Sequence, residues 1–264
     1  MDPDGSDSDG RALQDVLHKR ADVFRAIEAS PASKPELVER LSSSRSTVDR
    51  AIADLTDADC VESRSGTYSL TATGRFALAE RDRYAAATRT VEAASDLLND
   101  LPEGTTLPSV FLEGATVSVA DPHAPSSAST ASSRLLERAT AMRGLAPTVL
   151  KSDVFIIDRE LDREDLEVSI VAEPAVVEAL SELSDTPVAT LLARDSFDLY
   201  RSAGSLPYAL WVMETPDADH AGITFRGTGD VTGLVTNDSS DAVAWANAEL
   251  ASYRDRASPV DQPV

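Results

Sequence analysis

Residues 34–70, KPELVERLSSSRSTVDRAIADLTDADCVESRSGTYSL, decide the fold of the N-terminal part of this chain. Leu37 and Leu41 place apolar groups on one face of a short helix, and Pro35 can begin that helix because the first helical position needs no N–H. Three serines then interrupt the pattern. Of these, Ser44 is the expected N-cap of a second helix, because its hydroxyl can accept a hydrogen bond from the first turn. The stretch therefore predicts two helices joined by a tight, serine-rich turn.

The second helix is predicted over residues 44–56 and has two different faces. Val48, Ile52 and Leu55 recur at spacings of four and three residues, so they face a core. The first turn and the opposite face carry the polar side chains of Ser44, Arg45, Ser46, Thr47, Asp49 and Arg50. Amides and hydroxyls at a helix N-terminus can bind phosphate oxygens, and a guanidinium can donate two hydrogen bonds to guanine. Asp49 could accept from cytosine or orient one of the two arginines.

A short hairpin is predicted after this helix. Val61 begins a strand, residues 63–66 turn, and residues 67–70 return. Arg64 would lie at the tip of the turn, where it can contact the DNA backbone or enter the minor groove. Helix, turn, helix and hairpin in this order form a winged helix-turn-helix. We predict that it binds a double-stranded DNA operator.

Residues 36–75, ELVERLSSSRSTVDRAIADLTDADCVESRSGTYSLTATGR, are similar to the winged-helix domain of many prokaryotic regulators. SRSTVDRAI, residues 44–52, stands at the position of the recognition helix, and the resemblance covers residues 11–83. It implies that this part of the chain binds DNA. The alternative is a winged helix that binds a protein or only supports the structure, because fold alone does not decide function.

The charges are distributed unevenly along the chain. The 264 residues carry a formal net charge of −21, which by itself argues against nucleic acid as a partner. Residues 11–83, however, contain 12 basic and 12 acidic side chains, so the predicted DNA-binding domain is neutral. Residues 84–264 contain 12 basic and 29 acidic side chains. The acidic load therefore lies outside the predicted DNA-binding domain.

Only three of the 24 basic residues are lysines. Abundant Asp and Glu with so little Lys is similar to the composition of proteins from haloarchaea that accumulate salt, and we expect a halophilic origin. Molar salt shortens the electrostatic screening length to about 3 Å, so short-range hydrogen bonds would carry DNA recognition. An acidic protein from a mesophile is the alternative.

Cys60 is the only cysteine, which excludes an intramolecular disulfide and a cysteine-rich metal site. It follows the second helix in an apolar context, so we expect a small buried residue. No apolar stretch approaches the roughly 18 residues of a membrane span, and the acidic N-terminus does not resemble a signal peptide. We therefore expect a cytoplasmic protein with no membrane partner.

Composition and periodicity divide the chain into five segments. We expect a disordered acidic tail over residues 1–10, the DNA-binding domain over 11–83, a linker or dimerisation helix over 84–104, an α/β domain over 105–256 and a tail over 257–264. The linker carries an apolar seam with a seven-residue period, formed by Tyr84, Ala87, Val91, Ala94, Leu98 and Leu101. Such a seam can pair two subunits, which predicts a homodimer. Alternatively, this face packs on the C-terminal domain of the same chain.

The C-terminal domain alternates between extended and helical patterns. Extended patterns cover residues 109–119, 154–157, 166–171, 188–193, 208–213, 222–225 and 231–235. Helical patterns cover residues 133–143, 175–183 and 241–253, the last with Asp238 or Ser240 as its cap. Strands that interleave with helices predict a mixed sheet, antiparallel near its end where strands are consecutive. The expected fold is a two-domain α+β / α/β protein, with an N-terminal winged helix-turn-helix, a linker helix and a mixed-sheet α/β effector domain.

Two stretches in this domain carry a second resemblance, LPYALWVMET at residues 206–215 and GITFRGTGDVTGLVTNDSSDAVAWANAELASYR at residues 222–254. They are similar to the final strands and closing helix of archaeal winged-helix regulators of the methanogenesis-regulator-like family. The resemblance covers about residues 105–256, and the family that it indicates is common in haloarchaea. It implies an effector domain that senses a ligand or mediates assembly.

A small anionic effector is the ligand that we expect for this domain, because arginines at strand ends can hold an anion by bidentate contacts. The polar candidates are Arg194, Asp195, Arg201 and Arg226. The alternative for each arginine is an ion pair with one of the many surface carboxylates.

Patterns typical of catalysis and metal binding are sparse. The three histidines, His18, His123 and His220, are expected on the first helix and in two loops, outside any HExxH motif. No phosphate-binding loop or nucleophile elbow is present. We therefore expect no enzyme activity, no metal and no cofactor. A sequence-specific transcriptional regulator is the main hypothesis, a protein-interaction adaptor is the alternative, and an enzyme acting on a small anionic metabolite is a third.

Overall fold

A computed structural model describes residues 13–121, 123, 127–163, 165–183, 188–227 and 231–260. The predicted acidic tail over residues 1–10 lies outside these ranges. The chain divides into two compact units between Ala85 and Ala86. Each unit has a hydrophobic core of its own.

The first unit is a winged helix. Its elements are helix α1, which includes residues 13–19, then α2 Ala21–Ala29, α3 Lys34–Leu41, α4 Arg45–Asp57, β1 Val61–Arg64, β2 Thr67–Leu70 and the beginning of α5 Ala72–Ala93. The prediction of one helix over residues 11–29 was wrong, because the backbone leaves helical geometry at Arg20, with φ −113° and ψ 15°. Both flanking helices still contribute apolar residues, such as Leu17 and Phe24, to the same core. Periodicity alone did not reveal the break.

The core of the winged helix is formed by the apolar positions that the periodicity indicated. Leu37 from α3 is fully buried, as are Val48 and Leu55 from α4. Cys60 is also fully buried, and this burial raises the pKa of its thiol. The predicted core faces of the two helices and the burial of the cysteine are therefore confirmed.

Capping interactions begin both helices of the helix-turn-helix. The Glu36 carboxylate accepts a hydrogen bond from the Ser33 backbone N–H at 2.7 Å. Ser44 Oγ accepts from the Thr47 backbone N–H at 3.1 Å, so the predicted N-cap of α4 is confirmed. Between them Ser42 adopts a left-handed conformation, with φ 50°, which ends α3 and makes the turn tight.

The wing is a two-stranded antiparallel hairpin with Val61 opposite Leu70. Its turn has positive φ at both central residues, 52° at Ser65 and 80° at Gly66, which matches the twist of the strands. Tyr68 on the second strand also exchanges backbone hydrogen bonds with Ala32, at 3.1 and 2.9 Å. The hairpin is therefore attached to the segment that precedes α3.

Gly74 allows α5 to begin directly against the end of the α4–β1 connection. A Cβ atom at this position would lie 2.0 Å from the backbone oxygen of Cys60. Thr71 strengthens the same junction, because its Oγ1 donates to the Asp59 backbone oxygen at 2.6 Å and accepts from the Gly74 N–H at 2.9 Å. The close approach of two backbone segments therefore requires a residue without a side chain.

The second unit is built on an eight-stranded mixed sheet. After the end of α5 its elements are α6 Ser95–Asn99, α7 Ser109–Leu112, β3 Thr116–Val119, α8 Thr130–Leu136, β4 Ala141–Ala146, α9 Lys151–Glu160, β5 Glu167–Ala172, α10 Pro174–Leu183, α11 Val188–Leu192, β6 Phe197–Arg201, β7 Ala209–Glu214, β8 Asp219–Arg226, β9 Val231–Asn237, α12 Ser240–Arg254 and β10 Ser258–Pro259. The strand order is β10-β6-β5-β4-β7-β8-β9-β3. Strands β4, β5 and β6 are parallel, and the other neighbouring pairs are antiparallel. The predicted mixed sheet is confirmed.

Helices cover both faces of this sheet. On β7, Leu210 and Val212 belong to a core that includes α7 and α12, whereas Trp211 and Met213 belong to a core that includes residues of α8, α9, α10 and α11. Because side chains alternate along a strand, the two cores lie on opposite faces. The cavity described below lies on the side of Trp211 and Met213.

Several predicted elements of this unit were wrong. Residues 154–157 and 188–193 lie in or around helices α9 and α11, because a short apolar run suits a buried helix as well as a buried strand. The prediction of an extended segment over 109–119 missed helix α7, and the helix predicted over 133–143 extends into β4. The N-cap of α12 is Ser239, whose Oγ accepts from Ala242 N–H at 3.3 Å, and neither Asp238 nor Ser240.

The end of the chain and the linker also differ in detail from the expectation. Within the segment expected to be a tail, residues 257–264, strand β10 pairs with β6, and residues 261–264 lie outside the described part. The apolar seam divides along its length. Ala94 is buried in the core of the second unit and Leu98 and Leu101 pack against it, whereas Tyr84 and Val91 are 75% and 43% exposed.

Gly74→Ala is expected to destabilise the winged helix. Alanine gains up to about 1 kcal/mol of helix propensity, but its Cβ would overlap the Cys60 backbone oxygen, and overpacking of this kind costs about 1–3 kcal/mol. Urea unfolding followed by circular dichroism measures the net effect. Gly204→Ala is the control, because a Cβ at Gly204 meets no atom within 4 Å. Equal stability of the two variants would contradict the proposed role of Gly74.

Candidate functional site

The N-terminus of α4 presents three hydroxyl groups in one hydrogen-bonded cluster. Ser44 Oγ lies 3.0 Å from Ser46 Oγ and 2.8 Å from Thr47 Oγ1, and all three residues are exposed. The first-turn N–H groups and the helix dipole make such a terminus favourable for an anion. The cluster can therefore donate hydrogen bonds to a phosphate.

The two arginines of α4 are held differently. Arg50 Nε donates to the Ser46 backbone oxygen at 3.2 Å, which lays its side chain along its own helix. Arg45 is exposed, and within the described ranges its guanidinium makes no hydrogen bond or ion pair. Arg45 is therefore the arginine of α4 whose five N–H donors are all available.

Asp49 is paired with a residue that sequence reasoning did not single out. Its Oδ1 lies 2.8 Å from Lys34 Nζ, at the first residue of α3, and Lys34 Nζ lies 5.8 Å from the centre of the Tyr68 ring. The hydrogen bond from Lys34 lowers the pKa of Asp49, and the same bond raises the pKa of Lys34. Asp49 therefore contacts Lys34 and not Arg45 or Arg50, and Lys34 brings a cation next to α4. No local pattern around Lys34 could have revealed this pairing between two helices.

Arg64 is at the tip of the wing, as the sequence predicted. Its side chain is 80% exposed and forms an ion pair with Glu62 Oε1 at 3.1 Å. An exposed ion pair of this kind contributes little to stability. The guanidinium can therefore exchange its carboxylate partner for another anion at little cost.

The candidate ligand-binding arginines of the second unit do not converge. Arg194 donates to the Leu161 backbone oxygen at 2.7 Å and to Asp162 at 3.0 Å, so it joins α11 to the end of α9. Arg201 lies on β6, 3.7 Å from Glu178. Asp195 is exposed. Arg226 lines the cavity described next and also forms an ion pair with Asp153, at 2.9 Å. All three arginines therefore form the ion pairs that were considered as the alternative.

This cavity has a volume of about 640 Å³ and lies on the sheet face covered by helices α8 to α11. Its walls are mostly apolar, and they include Met142, Ile170, Leu199, Trp211 and Met213. A volume of 300–1,000 Å³ and apolar walls are typical of small-molecule sites.

The histidines do not form a metal site with other residues of the described ranges. His220 lies in strand β8 and not in the predicted loop, and its register partner is Met213. Across the described residues, no three His, Cys, Asp or Glu side chains are grouped so that they could hold a metal ion. No described helix is long and apolar enough to cross a membrane.

Asp49→Asn is expected to change how stability depends on pH. Because the pKa of Asp49 is lowered from its ordinary value of 3.8 in the folded protein, the Lys34–Asp49 pair stabilises the fold at pH values above 3.8, and this contribution is lost as the pH falls through the folded-state pKa. The native protein should therefore melt at a higher temperature than the variant at neutral pH, and the difference should shrink in acid. Thermal unfolding monitored between neutral and acidic pH tests this.

Asp57→Asn, on the same helix, is the control. Asp57 has no ion pair with a residue that the structure describes. The Asp57→Asn protein should therefore melt at neutral pH at a temperature at least as high as that of the native protein. A pH profile of Asp49→Asn that parallels the native profile would show that the pair does not contribute.

Two family models match the chain. Residues 123–256 match the middle domain of the methanogenesis regulatory protein FilR1, and residues 9–96 match the HVO_A0261 N-terminal domain. No curated protein matches the chain.

The solved structures that are similar to this chain share little sequence identity with it. The archaeal chromatin protein TrmBL2 is 12% identical, with 95% of this chain and 99% of that chain covered and a TM-score of 0.40. NucT from Helicobacter pylori is 10% identical over 55% of this chain and 98% of that chain, with a TM-score of 0.40. HmgR from Pseudomonas aeruginosa is 14% identical over 91% and 97%, with a TM-score of 0.25.

The two family models cover the winged helix and the second unit separately, and the FilR1 model alone covers half of the chain. The family that the sequence predicted is therefore confirmed, whereas a haloarchaeal source stays a prediction. The chain belongs to the methanogenesis-regulator-like family of archaeal winged-helix transcriptional regulators.

Proposed function

We propose that this regulator binds a specific DNA operator with α4 in the major groove and the β1–β2 turn against the backbone or in the minor groove. The observation that carries the proposal is the unpaired, exposed guanidinium of Arg45 beside the hydroxyl cluster of Ser44, Ser46 and Thr47. A recognition helix needs this combination, because phosphate contacts position the helix while a guanidinium reads a base edge.

Arg45 and Arg50 have different expected roles in this complex. Arg45 can approach guanine O6 and N7 without losing a partner. Arg50 uses Nε on its own helix, so its remaining N–H groups are suited to a phosphate or to a second base. Arg64 on the wing supplies a cation to the adjacent groove.

The Lys34–Asp49 pair supports this assignment of roles. A free carboxylate beside the first turn of α4 would repel the DNA backbone, and pairing with Lys34 reduces that repulsion. Asp49 can still accept from cytosine N4, in which case Lys34 would move to a phosphate. The pair therefore offers one acceptor and one donor at the same place.

We also propose that the protein is a homodimer whose subunits meet through α5. Tyr84 and Val91 are seven residues apart on this helix, and large apolar side chains exposed in this way are typical of interaction surfaces. A two-fold dimer would place two copies of α4 on two half-sites of an operator. The seam residues from Ala94 onward are already used inside the second unit, so they do not contribute to this surface.

The second unit is proposed to sense a small molecule and to alter DNA binding. The cavity beneath helices α8 to α11 supports this role, and membership of a regulator family supports binding over catalysis. An adaptor that binds a partner protein through its winged helix would lack affinity for the operator.

Arg45→Ala is expected to weaken operator binding by about 1–3 kcal/mol, or about 5- to 150-fold, if Arg45 reads a guanine. Fluorescence anisotropy in molar KCl with DNA from the upstream region of the protein's own gene measures this, and a genomic site search supplies the operator if that DNA is not bound. Scrambled DNA should show no such loss, because a base contact is removed and not a phosphate contact.

Arg256→Ala is the matched control, since Arg256 is exposed on the second unit and lies outside α4 and the wing. It should bind the operator like the native protein. Equal affinities of the Arg45 and Arg256 variants would remove Arg45 from base recognition. Absence of any operator in the genome would favour the adaptor.

Tyr84→Glu combined with Val91→Glu is expected to raise the dimer dissociation constant at least about tenfold, because two charges would be buried at an apolar contact. Sedimentation equilibrium in molar KCl measures this constant. Ala93→Glu is the control, because Ala93 is exposed on α5 about 200° around the helix from Val91. A monomeric native protein, or equal dissociation constants for both variants, would contradict dimerisation through α5.

A further inference from the structure

Two positively charged side chains, those of Arg134 and Arg226, line the cavity of the second unit, and only Arg226 has shielded nitrogens that donate no hydrogen bond within the described ranges. Arg226, at the end of β8, lines the cavity and has a side chain that is only 17% exposed. Its Nε and Nη1 atoms are shielded from solvent, and neither donates a hydrogen bond to a residue of the described ranges. Buried polar groups are nearly always hydrogen-bonded, so these donors point to a partner that is a ligand.

Asp153 balances the charge of Arg226 but does not satisfy its hydrogen-bond donors. The Asp153 Oδ2 atom lies 2.9 Å from Arg226 Nη1, which balances the charge, but the geometry does not make a hydrogen bond. The same oxygen accepts the backbone N–H of Leu150 at 2.9 Å, at the start of α9. The carboxylate is therefore occupied by the helix terminus, and Nε of Arg226 still lacks an acceptor.

A second donor lies two residues away on the same face of β8. Thr224 also lines the cavity, and its Oγ1 accepts a hydrogen bond from Trp211 Nε1 at 3.1 Å. Because the oxygen acts as an acceptor there, the hydroxyl hydrogen remains available for donation. The β8–β9 pairing is irregular between Phe225 and Arg226, but Thr224 and Arg226 both line the cavity and can therefore offer donors to one group.

We infer that the cavity binds an apolar molecule that carries a single carboxylate, with the carboxylate at Arg226 and Thr224 and the apolar body among Met142, Ile170, Leu199 and Trp211. Arginine has donors only, and a charged donor forms its strongest hydrogen bonds with a charged acceptor. The mostly apolar walls match an aromatic or aliphatic body and not a sugar or a nucleotide. This inference names the effector class and rests on the proposed ligand-sensing function.

The position of the two tryptophans provides a direct assay. Trp211 lines the cavity, whereas Trp245 contacts Phe111 on the opposite sheet face, with ring centres 5.1 Å apart. A Trp245→Phe protein therefore reports only on the cavity through the fluorescence of Trp211. We would titrate this protein in molar KCl with phenylpropanoate and decanoate, and with phenylpropanamide and decanamide as uncharged analogues of the same shape.

At least one acid is expected to change the Trp211 fluorescence with saturation, and to bind about 10- to 100-fold more tightly than its amide. Arg226→Met should abolish this preference while leaving the amide affinity nearly unchanged. Arg201→Met is the matched control, because Arg201 lies on the same sheet outside the cavity and should retain the preference.

Gly144→Val tests the cavity without removing a polar group. Gly144 lines the cavity, and a Cβ at this position would meet Leu210 O at 3.4 Å and Trp211 Cβ at 3.8 Å, which are ordinary contacts. Valine suits a strand and would project on the side of Trp211, where it occupies ligand space. The variant should fold with at least native stability and bind the acids at least tenfold more weakly.

Three results would overturn the inference. These are a fluorescence change that neither acid saturates, equal affinities for the acids and the amides, and native affinity of Gly144→Val for the acids. Because this assay contains no DNA, its outcome is separate from that of the operator measurement. An acid that binds but leaves operator affinity unchanged would retain the site and remove its regulatory role.

Discussion

Both faces of the eight-stranded sheet are covered by helices, and this constraint governs the second unit. Every central strand must bury side chains in both directions, so β7 places Leu210 and Val212 in one core and Trp211 and Met213 in the other. A polar side chain on such a strand loses water and needs a partner. Arg226 has only an incomplete partner in Asp153, so an acceptor in the unfilled space beside it would satisfy donors that the protein leaves without a hydrogen bond.

In the winged helix the corresponding constraint is the junction between the end of α4 and the start of α5. Gly74 and Thr71 bring the two backbones together beneath Cys60, and the buried faces of α3 and α4 complete a small core. The N-terminus of α4 is left exposed by this arrangement, and its Ser44 cap holds the first turn in shape. The C-terminal end of α4 is therefore held by the core, whereas its N-terminal end is exposed and can bind a partner.

Charge pairing gives an acidic regulator a surface that is compatible with DNA. Residues 11–83 carry equal numbers of basic and acidic side chains, and two carboxylates of α4 are paired, Asp49 with Lys34 at 2.8 Å and Asp54 with Arg20 at 2.7 Å. Arg45 forms no hydrogen bond or ion pair within the described part of the fold, and its charge acts only at a distance, where it adds to the effect of Lys34 in lowering the pKa of Asp49. If molar salt surrounds the protein, long-range repulsion from the acidic second unit is screened, and short contacts from these few side chains decide recognition.

The sequence by itself determined the helix-turn-helix, its core faces, the Ser44 cap, the wing and the family, because these features depend on local periodicity, capping and turn chemistry. It also indicated Arg45, Arg50 and Arg64 as exposed cations of the DNA-binding unit. Only the tertiary structure decided that residues 154–157 and 188–192 are helical, that Asp49 pairs with Lys34, and that Arg226, unlike Arg194 and Arg201, lines the large cavity of the second unit. These outcomes depend on contacts between residues that are far apart in the chain. Packing against the rest of the fold decides whether a short apolar run becomes a helix or a strand. The fold also decides which opposite charge lies close enough to pair with a given side chain.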